Sequence, residues 1–175
     1  MKKKLLVFCF INCLFFPIFC HEIQLYTSDS LTLGKVSKYS KGTIGHGLSF
    51  SYNIPYYNIF SATVKLEHSL NILKSNENIF SWNNLVTSLG LTASFKITES
   101  FIIRPQFDFG LCLNFISASD SLQKTYPDTV LQISNSFIIS NIALTPFYRL
   151  MAEQETICHY IGLNLGIIIK LNKES

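Results

Sequence analysis

The sequence predicts an all-β chain: an eight-stranded antiparallel up-and-down transmembrane β-barrel with a polar, packed lumen. Three observations carry this. From Thr43 onwards apolar residues recur at every second position through long stretches, the signature of strands with two unlike faces. Short turns alternate with long polar connections. The polar face is built mostly of Ser, Thr, Gly and Asn, whereas the apolar face is large at nearly every position.

Elements follow in chain order. Residues 1–20 read as a cleaved signal peptide, with Lys2, Lys3 and Lys4 ahead of an apolar run from Leu5 to Phe16 that Pro17 ends. The run is shorter than the roughly 20 residues that a spanning helix needs. The expected cut follows Cys20; a lipidated Cys20 is disfavoured because Phe19 before it is bulky. The mature domain is residues 21–175. Its first strand lies within Glu22 to Gly34, where Ile23, Leu25, Leu31 and Leu33 share one parity but Asp29 falls among them, so the strand is short or carries a bulge near Thr27 to Ser30.

The next four strands are the clearest. They run Thr43 to Ile54, Phe60 to Ile72, Leu85 to Ile97 and Phe101 to Phe115. Across them 25 of 28 positions on one face are apolar and 22 of 25 on the other are polar or glycine, a sorting that random patterning does not produce. Val130 to Ser140, Ile142 to Ala152 and Ile157 to Leu171 complete the eight, with Asn135 as a defect on the outer face. Pro105 and Pro146 fall inside strands and predict bulges there.

Asn53 to Asn58, Thr98 to Ser100 and Ser140 to Asn141 read as short turns. Lys35 to Gly42, Lys74 to Asn84, Ser117 to Thr129 and a tight Glu153 to Glu155 read as loops at the other end. Lys35, Lys38 and Lys41 make the first loop basic, and Phe80 with Trp82 place apolar surface in the second.

Composition excludes several classes. Charged residues are 14% against a usual figure of about 25%, and hydrophobic residues are 48%, which rules out disorder. Without the three leader lysines the charges balance, so the electrostatic footprint of a nucleic-acid binder is missing. No CxxC pair or zinc spacing occurs, and neither a metal nor a cofactor is expected. Cys112 and Cys158, placed on opposite walls, are expected to stay thiols.

A soluble lipocalin-like ligand-binding barrel shares the alternation, but its polar face meets water and carries many Lys and Glu residues. Here Phe107, Phe109, Leu111, Leu113 and Phe115 follow one another on the apolar face. Facing water, that band invites aggregation; facing lipid, it is at home. Aromatic girdles are expected at Tyr52, Tyr56, Tyr57, Phe60, Phe95 and Phe101 on the short-turn rim, with Phe115 and Tyr148 on the loop rim.

The chain thus resembles the small outer-membrane barrels of the OmpA transmembrane domain and OmpX type, over about residues 22 to 171. The resemblance implies an outer-membrane location, a lipid bilayer and the barrel-insertion machinery as partners, and loops displayed to an external ligand or host surface. One feature departs from it: such barrels usually end on an aromatic residue, whereas Leu171 is followed by Asn172 to Ser175.

On the polar face, Lys65, Glu67, Lys96, Arg104, Asp108 and Arg149 are expected to form a lumen charge network, because a buried charge needs a partner. A plugged lumen is the first reading and a narrow conduit for ions or small solutes the alternative. His46, His68 and His159 are expected as interfacial anchors on the lipid face toward the loop rim. No nucleophile and acid pair is seen to converge on them, so no enzyme is expected.

Overall fold

The computed structural model describes residues 20–171 except 55, 56, 58, 75–78, 119–122 and 153–156. The expected leader over 1–19, the loop at Glu153 to Glu155, Tyr56 and the chain end at Asn172 to Ser175 lie outside the described residues.

The described residues form nine strands: β1 (Glu22–Leu33), β2 (Ser40–Asn53), β3 (Phe60–Leu73), β4 (Ile79–Ala93), β5 (Phe95–Lys96), β6 (Phe101–Ala118), β7 (Gln123–Ile139), β8 (Ile142–Ala152) and β9 (Ile157–Lys170). The two-residue β5 continues β4 past Ser94 along the same neighbour, so the wall has eight staves. Neighbours in sequence pair antiparallel, β1 also pairs β9, and β4 pairs β6, which closes the sheet into an up-and-down barrel. Closure leaves no sheet edge to template aggregation.

Side-chain period two sorts the wall into two faces. Leu89, Phe109 and Ile133 are 65%, 55% and 62% exposed on the outside, while Glu67, Asp108 and Asn114 are 2%, 1% and 0% exposed within. Apolar residues coat the exterior and hydrophilic ones fill the hollow. The lumen is not wholly polar, however. Trp82, Val86, Cys112, Val130, Met151, Cys158 and Tyr160 form an apolar cluster toward the loop end, and Ile138, Ala143 and Ile168 form a second at the short-turn end.

Several expectations need correction. β1 runs in unbroken register against both β2 and β9, so it has no bulge at Thr27 to Ser30 and Asp29 does face outwards. Pro105 lies in register opposite Asn135, and Pro146 opposite Leu163, without a shift at either proline. The lost donor at Pro146 is absorbed by a gap in the β7–β8 ladder between Ser134–Phe147 and Phe137–Leu144, with the register kept.

The long loops are much shorter than expected. Ile79 to Asn84, Ser117 to Ala118 and Gln123 to Thr129 are strand, so β4, β6 and β7 reach 15, 18 and 17 residues. A membrane-spanning β-strand needs only about 9–11 residues. The surplus stands beyond the apolar band, where outward positions no longer need to be apolar and the alternation fades from the sequence.

Candidate functional site

Among the described residues three ion pairs occupy the lumen, two in its middle and one at the level of the short-turn apolar cluster. Each member comes from a position whose parity points inward, which is why the lumen gathers them. Arg149 on β8 meets Glu67 on β3 with two bonds, Nη1 to Oε1 at 2.8 Å and Nη2 to Oε2 at 2.7 Å. Arg149 Nε donates to Gln132 Oε1 at 2.8 Å, and the Tyr26 hydroxyl donates to Glu67 Oε2 at 3.2 Å. Lys65 on β3 meets Asp108 on β6 at 2.7 Å, and Gln106 Nε2 donates to the other Asp108 oxygen at 2.7 Å. Nearer the short turns, Arg104 grips the Glu22 carboxylate through both Nη atoms, while its Nε donates to Ser94 Oγ at 3.0 Å.

These six groups carry three positive and three negative charges, so the three pairs balance one another. Glycines make room for it. A Cβ on Gly90 would lie 2.1 Å from Asp108 Oδ1, and one on Gly47 would lie 2.4 Å from the Tyr26 ring. The small residues of the polar face are therefore the space into which the large polar ones fold.

Of the expected network, Lys65, Glu67, Arg104, Asp108 and Arg149 enter the lumen, but they form separate pairs instead of one cluster, and Arg104 pairs with Glu22. Lys96 does not join them. It sits exposed on β5 at the short-turn rim. Glu22 and Tyr26 were missed by the sequence reading; both share the inward parity of Ser28 and Ser30 on the strand whose pattern Asp29 obscured. Trp82, expected on a loop, is 5% exposed inside the barrel and donates Nε1 to Asn114 Oδ1 at 3.1 Å. The Phe80 side chain lies outside the described residues.

Outside, Tyr52, Tyr57, Phe60, Phe95 and Phe101 gather at the short-turn end, with Tyr57 edge-on to Phe60 at 6.3 Å. Phe115 and Tyr148 lie toward the loop end, where the Tyr148 hydroxyl and His159 Nδ1 are 2.6 Å apart. His46 and His68 are not at the rim. They face each other in mid-strand with ring centroids 5.4 Å apart.

At the loop end, β1 passes into a 3-10 segment, Gly34–Lys38, with Gly34 at a φ of 76 degrees that a glycine tolerates best. Lys35, Lys38 and Lys41 are exposed around it. Lys74 joins them, because its N–H donates to Tyr39 O at 3.0 Å. None of the four forms a salt bridge with a described residue.

No protein-family model and no curated protein matches the chain. Solved structures do. Neisserial surface protein A superposes with a TM-score of 0.62 at 15% identity, covering 86% of this chain and 96% of that one. The fold is that of the small outer-membrane β-barrels. The outer membrane enzyme PagL gives a TM-score of 0.58 at 11% identity over 82% of this barrel and 98% of that chain. Ail, the attachment invasion locus protein of Yersinia pestis, gives 0.55 at 14% identity over 85% and 97%. At such identities the shared property is the barrel itself, and activity has to be argued from residues.

Proposed function

We propose that the protein is an integral outer-membrane barrel, exported by its leader, that acts as a surface-interaction module through a basic rim at its loop end. The exterior band of large apolar residues supports bilayer placement, since a face of that size exposed to water is an aggregation hazard. The lumen supports a plug. Ion pairs cross-link its walls and apolar clusters fill part of both ends, which favours a packed interior over a conduit.

The observation that carries the reading is the lysine set. Lys35, Lys38, Lys41 and Lys74 gather around the 3-10 segment at the loop end, exposed, and none of them forms a salt bridge with a described residue. Four cations without described acidic partners favour a polyanion. Ail has been crystallised with the heparin analogue sucrose octasulfate. A sulfated or phosphorylated saccharide is the ligand class this rim fits.

The test is binding of a sulfated oligosaccharide to the barrel in lipid nanodiscs. Binding that weakens with salt, and falls at least tenfold when all four lysines become serine, is expected. Unchanged binding in that variant, with heat-modifiable migration intact, overturns the reading.

A further inference from the structure

Among the described residues the exterior band carries ionisable side chains in mid-strand at one place. Thr27, His46 and His68 lie directly opposite one another in the registers of β1, β2 and β3, and Asp29 stands two residues along β1 from Thr27 on the same face. Unbroken β1 register on both sides fixes Asp29 outwards, so this is not a local slip. Apolar residues frame the patch: Leu25 and Leu31 along β1, Leu66 and Leu70 along β3, Leu165 and Leu85 to either side. The wall is also indented here. Two open clefts of about 830 and 560 Å³ adjoin, the first lined by His46 and His68, the second by Asp29, and both by Thr27 and Leu165.

A carboxylate and two imidazoles in mid-strand would lie deep in the apolar core of a bilayer, where ionisable groups are costly and mark contacts with something other than lipid tails. Lipid headgroups stay at the interface, above and below that depth. A polar partner at this level is therefore protein. The patch carries its acid on one flank, β1, and an imidazole on the other, β3. A two-fold axis along the membrane normal, passing near His46, reverses left and right and sets Asp29 of one copy toward His68 of the other, twice over.

We propose that the β1–β3 wall is the interface at which a second copy of this chain docks in the membrane. The opposite wall presents Phe107, Phe109, Leu111, Ile133 and Leu144, and its mid-strand polar residue is the uncharged Asn135, so among the described residues each copy has one ionisable face and the assembly closes as a dimer. The inference rests on the bilayer placement proposed above.

Ile44 lies on β2 beside His46, opposite Asp29, and is 55% exposed. Ile44→Cys in liposomes under mild oxidation should give a covalent homodimer. Wild type, whose Cys112 and Cys158 are buried, should not, and neither should Ile133→Cys on the far wall. Adding Asp29→Leu and His68→Leu to Ile44→Cys should cut the yield at least tenfold, while heat-modifiable migration shows that the barrel still folds. Absence of the dimer, an equal yield without the patch, or a cross-link only to a different protein overturns the proposal. Loss of heat-modifiability and of membrane partition in wild type would instead defeat the bilayer placement.

Discussion

Arg149 and Glu67 clasp each other across the barrel axis, their two parallel bonds joining β8 to β3, strands that stand four places apart on an eight-stave wall. The pair is a cross-brace holding opposite walls at a fixed distance. Its geometry also explains the choice of arginine, whose planar fork meets both carboxylate oxygens and still has Nε left for Gln132.

Breaking the brace from one side should therefore be costly. Glu67→Ala strands a buried guanidinium and is expected to lower stability by about 3–5 kcal/mol. Arg149→Lys should cost less than Glu67→Ala, because one charge contact survives. Replacing both partners by methionine should recover much of the loss, since no charge is then left unpaired. Urea unfolding in micelles, followed by loss of heat-modifiable migration, measures all three.

Ion pairs alone do not seal the lumen. Apolar clusters around Trp82 and Met151 at one end and Ile138 and Ile168 at the other fill further space inside the wall. Wild type, and the Glu22→Ala and Glu67→Ala variants, should all be electrically silent in planar bilayers. A steady ohmic current from any of them would favour the conduit reading.

Space on the polar face is as constrained as charge. Gly90→Ala drives a methyl into the Asp108 carboxylate, displacing it from Lys65, and is expected to destabilise the barrel by about 1–3 kcal/mol. Ser88→Ala, one inward position away on the same strand, removes only a hydroxyl and should cost less. Equal stability of Gly90→Ala and wild type in the same urea assay would contradict the packing described here.

Period two made most of the wall legible in the sequence, because a strand with lipid on one side and a packed lumen on the other must alternate. The alternation weakens where that asymmetry ends. Asn83, Asn84 and Asp128 belong to strands that have left the apolar band, so polarity alone suggested loops. Parity within β1 was masked by Thr27 and Asp29, which hid Glu22 and Tyr26 as lumen residues. Which charges pair across the hollow depends on closure of β1 onto β9, a relation between the two ends of the chain that no local pattern expresses.

The central claim is the polarity of the wall, and the single tryptophan offers a direct measurement. Trp82 is buried in the lumen, so in liposomes of acyl-brominated lipid its fluorescence should be barely quenched. Moving the indole outward, with Phe109→Trp in a Trp82→Phe background, should make it strongly quenched. Strong quenching of Trp82 together with protection at position 109 would turn the barrel inside out and contradict the account.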